Sequence, residues 1–583
     1  MAKYYTDEKN AQIVVALLKE HGIRKVIASP GTTNMPLVAS MQNDPFFEMY
    51  SSVDERSAAY MACGLAYETG ESIVISCTGA TASRNYLPGL TEAYYRKLPI
   101  LSITSTPALS KVGHNIAQVI DRSLMPKDTV RLSVALPIVK DEEDLWDCEI
   151  KVNKAILELR RYGGGPAHIN LPTSYNDSYS TKELPKVSLI NRITINDKFP
   201  IIPEGKVAIF LGSHSQMCIE QMNAIDNFCA VNNSIVLCDH TSAYKGKYRV
   251  LSAIAAGQQK LYLSSLHVDL LIYIGEISGD SFTKLTIRAK QVWRVNEDGE
   301  IKDLFKNLRY VFEMPEINFF NIYSQANDNC SSDDSYLINM KMQLTEIYRK
   351  IPDLPFSNVW VASKMAHLIP PDSIIHFAIL NSLRSWNFFE LPDSVVSSSN
   401  VGGFGIDGCL STLVGASFAN KNKLYFCIIG DLAFFYDLNV LGNRHLGNNL
   451  RIMIVNNGVG QEFINFNHPA AKWNEDASLY IAAGGHFGNK SDLLVKHYAE
   501  NLGFEYICAR TKKEFDNIYE RFVKPDIGSQ SIVFEVFTES EEESEALRLM
   551  VNSIETIQGK AKDMFKQVVG DKGLNAIKKI MYK

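Results

Sequence analysis

The stretch "LYFCIIGDLAFFYDLNVLGNRHLGNNLRIMIVNNGVG", residues 424–460, decides the fold. Two apolar runs flank a helix-like segment, and each is closed by a polar residue. Short apolar runs bounded by turn residues read as buried strands; two of them around a helix read as a parallel βαβ unit. Asp431 follows "LYFCIIG" and Asn457 follows "LRIMIVN", 26 positions later, room for one crossover helix. In an open parallel sheet, ligands bind beyond the carboxyl ends of the strands. Neighbouring strands would therefore aim both side chains at one place. A carboxylate, an amide oxygen and a backbone carbonyl are hard donors that suit Mg2+ and leave positions for phosphate oxygens. Gly430 and Gly458 would let the backbone approach a diphosphate closely. Either fragment alone is more often a plain turn or strand end; the pair at this spacing favours the metal.

The same rhythm runs outward along the chain. "RKVIASPG", "FEMYSSVDE", "SIVISCTGA" and "LPILSITST" are strand candidates in the first third, with helical patterns in "RSAAYMACGLAYETG" and "SRNYLPGLTEAYYRK". "KVAIFLGSHSQ", "NSIVLCDHTSAY", "DLLIYIGEISGD" and "QVWRVNEDGE" suggest a second open sheet. "SIIHFAIL", "LYFCIIGD", "LRIMIVNN" and "SIVFEVFT" suggest a third. The expected class is α/β, with parallel sheets covered by helices on both faces. Expected domains are 1–182, 190–325 and 345–545, with a charged helical tail at 546–583. Polar stretches around "KELPKVSLINRITINDKFP" and "SQANDNCSSDDSY" read as linkers.

Composition narrows the function classes. Apolar residues make up 46% of 583 and charged residues 21%, ample for several cores. A net charge of -6 argues against nucleic acid as a partner. No apolar run approaches the roughly 18 residues that cross a bilayer. "MAKYYTDEKN" lacks the apolar core of a signal peptide. The ten cysteines form no CxxC pair, so a reducing cytoplasm is expected, with Cys77, Cys238 and Cys427 as buried thiols.

"GDLAFFYDLN…IVNNGVG" resembles the thiamin-diphosphate motif of the 2-oxo acid decarboxylase and carboligase family. "SPGTTNMPL", "DERSAAYMACGLA", "CTGATASRNYLPGLTEAYYRKLPI" and "GIDGCLSTLVGA" carry the resemblance further; its nearest members are the menaquinone-pathway carboxylate synthases. The resemblance implies three open-sheet domains: pyrimidine-binding, central and diphosphate-binding. It implies a homodimer or dimer of dimers, with thiamin diphosphate between the first domain of one subunit and the third domain of another. Asp431, Asn457 and the carbonyl of Val459 would hold Mg2+. Gly79, Ile406, Gly430, Leu432 and Ala433 would contact the cofactor, Ile406 propping its bent shape. Glu55 would be a buried acid hydrogen-bonded to the pyrimidine N1′ and so activate the cofactor. Read without the resemblance, Asp54 is a helix N-cap and Glu55 a first-turn acid.

Gln118 matches a glutamine beside the substrate, and His114 could donate to an oxyanion or relay a proton. Thr32, Thr33, Asn381, Ser382, Arg384 and His468 are substrate-binding candidates, with Lys472 in the same loop as His468. Arg384 could grip a carboxylate bidentately. The implied reaction is decarboxylation of a 2-oxo acid and transfer of the acyl-anion unit to a carbonyl or alkene acceptor. Rivals are a simple decarboxylase, the menaquinone-pathway synthase itself, a catalytically inactive regulatory homologue, and a flavin-carrying relative with FAD in the central domain.

The chain departs from that synthase pattern where arginines meet anionic substrates. Thr33 stands for the arginine of "SPGSR", Thr106 for that of "DRP", Val401 for the one before "GASGIDG", and Trp386 for the one after "NSL". "GEISGDSF" lacks the central basic pair. Each charge-assisted hydrogen bond is worth roughly 1.5–3 kcal/mol, so a less anionic substrate pair is expected.

Overall fold

In a computed structural model of the protein, the described residues are 4–122, 125–174, 177–259, 263–325, 334–473, 475–485 and 491–554. The first sheet contains β1 (Lys25–Ala28), β2 (Glu48–Ser51), β3 (Ile73–Cys77), β4 (Ile100–Thr106), β5 (Leu132–Ala135) and β6 (Ala167–Pro172). Its order is β2-β1-β3-β4-β6-β5, parallel throughout. Every residue of β3 and β4 is buried. Helices cover both faces, so the strands read as unbroken apolar runs rather than as an alternation. Successive residues serve opposite cores. Val74 packs with the helices Lys9–Glu20 and Glu142–Glu158, while Ile73 and Ile75 pack with Glu55–Thr69 and Leu87–Tyr95. Burying one such side chain contributes roughly 1.5–3 kcal/mol.

The middle of the chain supplies β7 (Asn191–Thr194), β8 (Val207–Leu211), β9 (Ile235–Cys238), β10 (Arg249–Leu251), β11 (His267–Ile274), β12 (Arg288–Val295) and β13 (Leu308–Glu313). β10-β9-β8-β11-β12 run side by side. The third sheet contains β14 (Ile374–Phe377), β15 (Val396–Ser399), β16 (Tyr425–Gly430), β17 (Leu450–Asn456), β18 (Glu505–Ala509) and β19 (Ile532–Phe537). Its order is β15-β14-β16-β17-β19-β18, again parallel throughout. The α/β architecture of three parallel sheets with helices is the expected one.

The chain packs as two compact units: residues 1–199 with 298–313, and residues 200–297 with 314–583. The stretch around 182–200, expected as a linker, contains β7, which pairs in parallel with β13. Its residues, "NRIT", carry little apolar signal; the pairing is made by a strand more than a hundred positions away. Arg161 fastens the same region: its guanidinium lies 2.8 Å from Glu300, 3.2 Å from Glu313 and 3.5 Å from Glu158. The second expected linker lies largely outside the described residues, and the helix Ser335–Arg349 begins within its last residues. The tail expected at 546–583 falls outside them from residue 555 onward; the helix Ser540–Val551 crosses the expected boundary. Cys77, Cys238 and Cys427 are buried free thiols. Among the described residues, no helix is long and apolar enough to cross a membrane.

Removing the buried Arg161 side chain leaves the partly buried Glu158 and Glu313 short of a partner. Arg161→Ala is expected to cost roughly 3 kcal/mol, read as a lower urea midpoint, whereas the same change at exposed Arg56 should cost almost nothing.

Candidate active site

In the second unit, β16 and β17 are direct neighbours, with Gly430 opposite Val455. Asp431 therefore begins the helix Asp431–Asp437 just beyond β16, and Asn457 is the first residue past β17. One pocket at this edge is lined by Ile406, Gly430, Asp431, Leu432, Ala433, Asn457 and Val459. Asn381 and Ser382 line it too, from the helix Asn381–Trp386 beyond β14. Asp431 is 5% exposed and accepts a hydrogen bond from the Gly458 amide at 3.0 Å. Burial pushes its carboxyl up to about 7, since no cation pairs with it among the described residues. A bound cation would restore the charged form. The Asn457 side-chain oxygen accepts from the Val459 amide at 3.3 Å, which folds this loop back on itself. Gly458 has φ +77°, which a side chain would strain. A Cβ added at Gly430 would point into open space. The donor set and the bare backbone at Gly430 fit a divalent cation carrying a diphosphate.

Three candidates lie differently from expectation. Arg384 is not free for substrate: it forms a bidentate ion pair with Glu462, at 2.6 and 2.8 Å, and Glu462 lines the pocket in its place. His468 sits behind the pocket residue Phe463, ring centroids 5.4 Å apart, and its Nδ1 accepts from the Ala470 amide. Lys472 is exposed over the Trp473 ring. In each case a nearby residue from the same loop or its neighbour takes up the functional group.

The pocket and the shell behind it contain residues with no local signal in the sequence. Leu380 holds φ +70°, uncommon for a residue with a side chain and frequent at functional sites. Glu543, on the helix Ser540–Val551, is buried behind Asn358 and Asn381. It accepts from the Asn358 amide at 2.8 Å and from Thr538 at 2.8 Å, and burial raises its carboxyl to about 7.

The first unit gathers its candidates at the carboxyl ends of its own strands. Thr32 and Thr33 follow β1, Glu55 follows β2, Gly79 follows β3, and His114 and Gln118 follow β4. Asp54 is the N-cap, accepting from the Arg56 amide at 3.0 Å. Glu55 is half-buried rather than buried, and accepts from Asn85 at 3.2 Å. Its helix has one face turned outward, with Tyr60, Met61 and Tyr67 exposed, and Val53 just before it is 83% exposed. Thr32 is exposed; Thr33 is buried, contacts Thr78 and donates to the Ser105 carbonyl at 2.9 Å. Gly79 approaches Gln118: a Cβ there would lie 3.5 Å from the Gln118 carbonyl oxygen. Gln118 holds φ +63°, while its side chain and His114 are exposed.

Residues 8–125 match the family described as thiamine pyrophosphate enzyme, N-terminal TPP binding domain. The chain is 31% identical to 2-succinyl-5-enolpyruvyl-6-hydroxy-3-cyclohexene-1-carboxylate synthase of Bacteroides fragilis, covering 93% of this chain and 98% of that protein. The synthases of Bacteroides thetaiotaomicron and Phocaeicola vulgatus are each 30% identical over the same shares. The chain belongs to this family. It is a thiamin-diphosphate-dependent enzyme, and thiamin diphosphate with a divalent metal such as Mg2+ is its cofactor set.

Asp431→Asn is expected to remove metal-dependent cofactor binding in calorimetry, with the melting temperature nearly unchanged or raised, because a buried carboxyl becomes a neutral amide of equal size. Glu543 makes a separate prediction. Its folded value lies above the ordinary 4.5, so the stability it contributes is full below about 4.5 and is lost as pH rises toward 7. Glu543→Gln should flatten that slope in pH-dependent melting and raise stability at pH 8.

Proposed function

We propose that the chain decarboxylates a 2-oxo acid and transfers the acyl-anion unit to an acceptor, and that the donor is 2-oxoglutarate and the acceptor isochorismate. The observation that carries this reading is the likeness along 98% of the relatives' length, since their name describes a succinylated, enolpyruvyl-bearing cyclohexene carboxylate. The expectation of a less anionic pair, drawn from absent arginines, gives way to it.

In this reading Asp431, Asn457 and the Val459 carbonyl hold the metal, and Gly430, Leu432 and Ala433 meet the diphosphate. Bound thiamin diphosphate supplies the acyl-anion chemistry. Glu55 would hold the proton at the pyrimidine N1′, Gly79 would let the backbone approach the cofactor, and Ile406 would pack against it. Asn381 and Ser382 position the donor, with Gln118 and His114 near the reacting carbon. Thr32 and Thr33 shape the first unit's wall. The working form is a homodimer, which would cover the apolar surface around Glu55 and complete its burial. The intact set Glu55, Asp431 and Asn457 speaks against an inactive regulatory homologue.

A second reading, a different donor and acceptor or a simple decarboxylase, has one observation in its favour. Trp386 and Thr106 are buried where the synthase pattern has arginines, and Arg384 is committed to Glu462. Supplying 2-oxoglutarate and isochorismate with thiamin diphosphate and Mg2+ separates the two. Coupled release of CO2 and the succinylated product is expected; CO2 without that product would favour the second reading. Glu55→Gln should lower turnover by roughly 10²–10⁴ while changing cofactor affinity far less, and slowed C2–H exchange in the loaded variant is the direct readout.

A further inference from the structure

Arg122 is 3% exposed, in the segment that follows β4 of the first unit. Its Nη2 donates to Asn170 Oδ1 at 2.7 Å. Its Nε and Nη1 have no acceptor, and among the described residues no other buried arginine has two unpartnered nitrogens. No described carboxylate pairs with it. The nearby Arg84 adds a like charge, and its own Nη2 donates to the Asp121 carbonyl at 3.0 Å. Burial pulls the Arg122 guanidinium down to about 10, so it is still a cation at neutral pH. The neighbouring Cys77 thiol is pushed up to about 12 and supplies no balancing charge. A buried cation with one hydrogen bond is costly unless an anion completes it.

The unpaired nitrogens face the edge where the first unit's candidates gather. A Cβ at Gly79 would lie 3.5 Å from Arg122 Nη1 and 3.2 Å from the Ser105 carbonyl, the same carbonyl that accepts from Thr33. Arg122 therefore stands beside Gly79, which also adjoins the Ser105 carbonyl that Thr33 bonds.

We propose that Arg122 is the anion anchor of the first unit, taking a substrate carboxylate at Nη1, the nitrogen beside Gly79. The inference rests on the proposed function for the identity of the substrate, not for the existence of the anion site. A guanidinium nitrogen keeps its positive charge at neutral pH and gives a carboxylate a charge-assisted hydrogen bond. The carboxylate can belong to the donor or to the acceptor. Arg122 thus stands in for cations that the wall lacks at Thr33 and Thr106.

The test uses the full chain loaded with thiamin diphosphate and Mg2+. Binding of propionate, succinate, glutarate and isochorismate is measured by calorimetry on the wild type, Arg122→Gln and Arg122→Lys. Gln removes the charge and shortens the side chain, so its melting temperature is measured beside its affinities; a merely structural role would lower the melting temperature and weaken all the acids alike. The expected result is a 10–100-fold weaker affinity in Arg122→Gln for glutarate or for isochorismate, with the other within about threefold; which one falls names the donor or the acceptor. Arg122→Lys keeps the charge on a shorter side chain and should lose about tenfold, so it serves if the Gln variant does not fold. Unchanged affinity in both variants, or a wild type that binds none of the four acids, overturns the anchor. A wild type that binds glutarate through Arg122 yet forms no succinylated product overturns only the substrate reading.

Discussion

A buried carboxylate with no counter-charge organises the carboxyl edge of the third sheet. Asp431 is placed there by β16 and tethered to the adjoining loop by the Gly458 amide. Burial, helped by the charge of Glu535, pushes its carboxyl up to about 7, which is destabilising in isolation. That geometry fits a metal carrying phosphate oxygens at the edge. The parallel β16–β17 pairing, the left-handed glycine at 458 and the bare backbone at 430 all serve the approach of that charged group.

The treatment of cations is the counterpart. The arginine of the loop beyond β14 is spent on Glu462, so this pocket wall is nearly neutral where a free guanidinium was expected. In the segment "GEISGDSF", Ser278 and the Asp280 amide both bond Asp239, at 2.6 and 3.0 Å, while Glu276 and Ile277 are exposed. The first unit, by contrast, buries a guanidinium with half its donors open.

Unusual backbone follows the same edges. Ala80 and Gln118 in the first unit, and Leu380 and Phe404 in the second, hold positive φ despite their side chains, each within loops that follow or face the parallel strands. Such conformations persist where surrounding packing over-determines them, and they aim backbone groups that a relaxed loop would leave averaged.

The amino-acid sequence by itself determined the parallel α/β class, because strands buried on both faces must be apolar runs and crossover helices must lie between them. It also placed Asp431, Asn457 and the glycines beside them at one edge, because strand ends and a 26-residue spacing are local facts. Tertiary structure alone decided the rest. Strand β7 is visible only through its partner β13; Arg384 is disarmed by a glutamate 78 positions away; Glu543 reaches Asn358 across 185 positions. Arg122 looks like any loop arginine until burial removes its water and leaves its donors unpaired. Charge and hydrogen-bond status depend on what packs around a group, and that neighbourhood is assembled from distant parts of the chain.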